Sequence, residues 1–177
     1  MVVHQNPILE EQLVAELEKL GVGYLSRQSE TVSIRVRAPQ VMMAELVWQP
    51  SSRVRAALIP LLLAHPEYAG QVPAALRRLD DRHGQTLKFF YTAAVFLQEQ
   101  YGRVFQEILG TKWKMLPDLF STELRVSGKT PKARLNALAR AHAGWSGVQL
   151  NWAGTYENAV QHLLRRWEME RNSCGHC

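Results

Sequence analysis

Residues 85–110 read QTLKFFYTAAVFLQEQYGRVFQEILG, and the fold turns on their period. Leu87, Phe90, Ala94, Leu97, Tyr101, Val104 and Ile108 recur at three- and four-residue steps, so they share one face of a helix. Phe89, Ala93 and Phe96 form a second stripe. A helix apolar on two sides is buried between neighbours. A long central helix over 85–109, stopped by Gly110, is therefore expected.

The flanking segments supply those neighbours. Ser51 or Ser52 can cap RVRAALIPLLLAH (53–65), which Pro60 should kink and Pro66 should end. PAALRRLDD (73–81) reads as another short helix. On the far side, LPDLFSTEL (116–124) reads as a short helix or turn. TPKARLNALARAHAG (130–144) carries Thr130 as cap, Pro131 in the first turn and Gly144 as stop. TYENAVQHLLRRWEMER (155–171) places Tyr156, Val160, Leu163, Leu164 and Trp167 on one face. Earlier in the chain, Asn6-Pro7 opens a helix with Leu9, Leu13, Leu17 and Leu20 on one side, and PQVMMAELVW (39–48) is another. Only ETVSIRVRA (30–38) changes period: Val32, Ile34 and Val36 alternate with polar residues, as in a half-buried strand with a weak companion at 23–26. The expected fold is mainly α. It is an irregular bundle of about six helices around the 85–109 helix, with a short extended or hairpin segment near 23–38. Residues 1–50 form an N-terminal appendage, 51–171 the helical core and 172–177 a mobile tail.

Composition narrows the function classes. A chain of 177 residues with 46% hydrophobic content suits one globular core. No run approaches 18 uninterrupted apolar residues, and the opening MVVHQNPILEEQ lacks the basic-then-apolar order of a secretory signal. Both cysteines lie in the last four residues, so no disulfide staples the core and a cytoplasmic location is expected. The formal charge of +5 is uneven. Residues 1–50 carry 4 basic and 6 acidic groups, residues 51–110 carry 7 and 5, and residues 111–177 carry 10 and 5. The excess in the last third suits an acidic partner or a nucleic acid.

Signatures of chemistry are sparse. There is no Gly-rich phosphate loop and no His-Glu-x-x-His, and GWSG (144–147) lacks a nucleophile elbow's glycine spacing. Asp80 and Asp81 are adjacent, so on a helix they point about 100° apart and cannot readily share a metal. The tail Cys174-Gly-His176-Cys177 resembles the redox motif of protein disulfide isomerases, but it follows a helix instead of opening one. Cys174, His176 and Cys177 are also suitable zinc ligands, with a fourth to come from His162 or a second chain. Arg78 and His83 resemble the Arg-x4–6-His motif of the helical HEPN ribonucleases. That resemblance implies metal-independent attack on an RNA backbone, with imidazole moving a proton and guanidinium steadying phosphate charge. Arg77–His83 and Arg171–His176 also fall within the allowed spacings, so the motif carries little by count.

The basic third offers a different surface. Trp113 lies between Lys112 and Lys114, and Lys129, Lys132, Arg134, Arg140, Arg165 and Arg166 follow. Aromatics among cations can stack bases while the cations meet phosphates. A helix-turn-helix over 132–166 is disfavoured because the connection expected from Gly144 to Gly154 exceeds its tight turn. The segments RVRAALIPLLLAHPEYA, LKFFYTAAVFLQ, LPDLFS and NWAGTYENAVQHLLRR resemble an uncharacterised group of small bacterial helical proteins associated with genes for nucleotidyltransferase-like proteins. The resemblance spans 52–168 and implies context, not mechanism. Three readings follow. The first is a non-catalytic partner or adaptor for another protein, such as a nucleotidyltransferase-like one, within a nucleic-acid-containing complex. The second is a HEPN-like ribonuclease or toxin using Arg78 and His83. The third is a small DNA- or RNA-binding regulator. No cofactor is expected beyond the zinc that the tail would hold.

Overall fold

The computed structural model describes residues 7–23 and 34–174, with side chains from Glu10 onward in the first helix. The described residues form an all-helical bundle without strands. Its order is α1 (Pro7–Lys19), α2 (Pro39–Trp48), α3 (Ser52–Arg55), α4 (Leu58–Ala64), α5 (Val72–Leu76), α6 (Asp81–Gln100), α7 (Gly102–Leu109), α8 (Pro131–Ser146) and α9 (Trp152–Cys174). Short 3₁₀ turns occupy Pro66–Gln71 and Gly110–Lys112.

α6 is the axis, as its two apolar stripes require. It packs against α2, α4, α8 and α9, and buries Leu87, Phe90, Ala94 and Leu97 together with Phe89, Ala93 and Phe96. It starts four residues earlier than expected because the Asp80 carboxylate accepts from the His83 amide at 2.8 Å and caps it. It also ends earlier: the expected single helix is broken at Tyr101 into α6 and α7. Tyr101 leaves helical geometry at φ −103°, ψ 13°, while its hydroxyl reaches across to Glu157 and accepts from Gln161 on α9. At Gly102, a Cβ would sit 3.3 Å from the Trp113 ring, so that ring closes against bare backbone.

Proline acts one turn upstream of its own position. The 53–65 run is split at Ala56–Ala57, and Pro60 sits in the first turn of α4, where its missing N–H has no helical partner to lose. Its ring crowds the carbonyl four residues back, which is that of Ala56. α8 begins as expected, with Thr130 Oγ1 accepting from the Ala133 amide at 3.1 Å. It runs past Gly144 to a left-handed cap at Gly147, φ 66°. That leaves only residues 147–151 before α9, so the connection is much shorter than the expected Gly144–Gly154 loop. Asn151 Oδ1 accepts from the Gly154 amide at 2.9 Å over the first turn of α9.

Of the expected extended segment, residues 34–38 have no ladder partner among the described residues, and residues 24–33 lie outside those described. Residues 116–124 form turns without a helix. Leu13, Leu17, Met42 and Met43 share one buried cluster with α4, α6, α8 and α9. No helix among the described residues is long and apolar enough to cross a membrane.

Candidate functional site

The ends of five helices meet at one cleft of about 170 Å³. Val47 closes it from the end of α2 and Arg55 from the end of α3. Arg82, His83 and Thr86 enter from the first turns of α6. His142, Trp145 and Ser146 come from the last turns of α8, Val148 from the turn, and Trp152 from the start of α9. The Gly147 cap makes this convergence possible, because it reverses the chain within five residues.

The aromatic wall is layered. His142 is 1% exposed and lies between Phe89, with ring centroids 4.4 Å apart, and Trp152, at 3.6 Å. Its Nδ1 is 2.6 Å from the Tyr156 hydroxyl. Burial, with the Arg55 charge adding to it, lowers the imidazole pKa to about 3, so His142 is neutral at ordinary pH. Burial holds the Tyr156 phenol well above its usual value. Trp152 is 3% exposed, and its indole N–H is buried without a partner among the described residues.

The rest of the cleft is cationic. Arg55 donates from Nη1 to the carbonyls of Gln49 at 2.6 Å and Pro50 at 2.9 Å, tying α3 to the end of α2. Burial and the nearby Arg82 charge lower its proton affinity, yet a guanidinium remains charged in proteins. No carboxylate lines the cleft, and none among the described residues pairs with Arg55 or Arg82. Of the two carboxylates that immediately precede Arg82 in the chain, Asp81 lines the adjoining outer hollow and Asp80 is 2.8 Å from His83 Nδ1. The hydrogen bond from the His83 amide leads the causes that hold Asp80 below the usual carboxylate range. A shallower outer hollow of about 430 Å³ adjoins the cleft, sharing Arg82 and Trp145 with it and adding Asp81 and Gln85.

The structure redistributes the residues singled out from sequence. His83 lines the cleft, but Arg78 is exposed and does not, so the HEPN-like pair does not converge there. Arg134 pairs with Glu99 and stacks 4.8 Å over Phe96; Arg166 pairs with Glu18 and Glu170 at 3.0 Å. Lys112, Trp113 and Lys114 line a separate groove of about 290 Å³ that Trp167 and Glu170 also border. There Trp113 is half-buried and packs against Phe105 at 6.1 Å between ring centroids. Lys129, Lys132, Arg140 and Arg165 are exposed and line neither groove nor cleft. Cys174 is exposed at the end of α9, whereas His176 and Cys177 lie outside the described residues. Among the described residues no three His, Cys, Asp or Glu side chains gather as a metal site.

Arg55, Arg82, Trp145 and Trp152 were not picked out as a group from sequence. They sit 27, 63 and 7 residues apart, and no local spacing announces them. The chain matches no protein-family model, no curated protein and no solved structure.

Proposed function

We propose that the protein is a non-catalytic helical adaptor whose working face is the cleft between the start of α6 and the α8–α9 turn. The observation that carries this reading is the pairing of two unneutralised guanidinium groups with an exposed apolar rim. Trp145 is 40% exposed and Val148 49% exposed, and Leu150 is also open to solvent in the same turn. Trp and Arg are the side chains on which protein interfaces concentrate their binding energy. Exposed aliphatic residues suit a protein partner better than a stack of bases. The likeness over 52–168 makes a nucleotidyltransferase-like protein the first partner to test, with nucleic acid elsewhere in the complex.

The test is affinity capture from cells with tagged wild type and two variants, Trp145→Ala and Val148→Asp. Both positions are exposed, so the variants should keep the helical circular-dichroism signal. A partner retained by the wild type and lost by both variants is expected. Identical capture by all three would remove this face from the account. A second reading, a metal-independent ribonuclease, draws on the Asp80–His83 contact at the mouth of the cleft beside Arg82. Cleavage of labelled RNA by the wild type, abolished in His83→Ala, would replace the adaptor reading.

A further inference from the structure

We propose that the inner cleft binds a dianionic phosphate monoester, held between Arg55 and Arg82, with the group that carries it lying over Trp145 in the outer hollow. This rests on the cleft being the working face and names the chemistry it recognises. The charged side chains that line it are both donors, while the Thr86 hydroxyl is already committed to the Arg82 carbonyl. Arg55 uses Nη1 on two backbone carbonyls, which leaves Nε and Nη2. Arg82 has no ion-pair partner among the described residues. Ser146 accepts from the Val148 amide at 3.2 Å and keeps its own hydroxyl hydrogen. The Trp152 ring forms part of the same wall, its indole N–H buried and without a partner among the described residues.

Charge and size select the ligand. Two guanidinium groups face no carboxylate in the cleft, and each raises the cost of the other's charge. A single carboxylate would neutralise half of that, whereas a phosphate monoester carries nearly two negative charges at pH 7 and above. Guanidinium forks match phosphoryl oxygens in geometry as well as in charge. The inner cleft, at about 170 Å³, is smaller than the roughly 300 Å³ at which pockets begin to enclose whole drug-sized ligands. It therefore takes a head group. The remainder must extend into the outer hollow, where the half-exposed Trp145 ring offers a flat apolar surface.

Calorimetric titration of the full chain with phenyl phosphate and with phenyl sulfate at pH 8 tests this. The two probes share shape and differ by about one charge. Saturable phenyl phosphate binding, at least about tenfold tighter than phenyl sulfate, is expected. Arg82→Gln, at an exposed position, should weaken it about tenfold or more, and Arg55→Gln likewise. Phenyl phosphate should also shift the indole N–H resonance of Trp152, identified by its loss in Trp152→Phe. Absence of saturable binding, equal affinity for the two probes, or an Arg82→Gln affinity within twofold of wild type would overturn the proposal. A phosphotyrosyl peptide and adenosine monophosphate, titrated in parallel, tell a modified side chain of a partner from a free phosphorylated metabolite. If the phosphate probes fail while capture still depends on Val148, the adaptor reading stands without a phosphoryl group. If phenyl phosphate binds while Val148→Asp captures the same proteins, the anion site stands and the adaptor face falls.

Discussion

His142 shows how the tertiary environment sets the state of one side chain. Between Phe89 and Trp152 it has no room for a hydration shell, so protonation would strand a charge beside Arg55. Its folded pKa of about 3 lies below the unfolded value of about 6.5. Between those values the unfolded chain binds the extra proton. Its contribution to stability is therefore fully present above pH 6.5 and is lost as pH falls towards 3, by at most about 1.4 kcal/mol per pH unit. His142→Phe keeps a stacked ring but leaves the Tyr156 hydroxyl without its partner, which costs about 1–2 kcal/mol at pH 7. The gap between variant and wild type should narrow by about 1–2 kcal/mol from pH 7 to pH 5. Urea denaturation at both pH values reads this, and parallel pH–stability curves would show that His142 does not titrate between the two states.

Among the elements, the irregular stretch between α7 and α8 depends most on side chains from elsewhere. Gln98 on α6 acts as a strand would: its Nε2 donates to the Leu116 carbonyl and its Oε1 accepts from the Leu116 amide, both at 2.7 Å. The Tyr91 hydroxyl donates to the Pro117 carbonyl at 2.8 Å. Leu116 and Phe120 then bury their side chains, and Arg125 takes a left-handed turn at φ 53°. Gln98→Ala leaves a buried amide and a buried carbonyl unpaired, a loss of about 2–4 kcal/mol. Cleavage by a nonspecific protease should move into residues 113–130 in the variant, and a stability loss under about 1 kcal/mol would mean that Tyr91 and Phe120 suffice as anchors. The sequence showed Gln98 only as a polar break in an apolar run. Its partner is 18 residues away, beyond the reach of any helical period.

At the scale of the whole molecule, the excess positive charge of the last third is partly spent inside the protein. Arg134 and Arg166 are neutralised by Glu99, Glu18 and Glu170, and Glu18 belongs to α1 at the other end of the chain. Lys112 and Lys114 share their groove with Glu170. Polyanion binding by the isolated protein should then be weak, roughly micromolar or poorer at physiological salt, and should fall steeply as salt rises. Labelled single- and double-stranded oligonucleotides titrated at two salt concentrations measure this. Binding that stays tight at the higher concentration would reveal a specific site that the charge distribution does not predict.

Local patterns carried the helical class, the starts of α2 and α8, and the central place of α6, because apolar period and caps act within a few residues. They set His83 just before a long helix, whereas it lies within the first turn of α6. Tertiary contacts decided the rest. The break at Tyr101 goes with bonds to α9, across 56 and 60 residues, and Gly147 rather than Gly144 became the stop, with Trp145 in the added turn packing on Phe89 of α6. Only the fold could gather Arg55, Arg82, Trp145 and Trp152, since each lies on a different helix or helix end and none reads locally as more than a surface cation or a core ring. A helix advertises what it buries along its own length, whereas a cleft formed where several helices end depends on how those ends are set against one another.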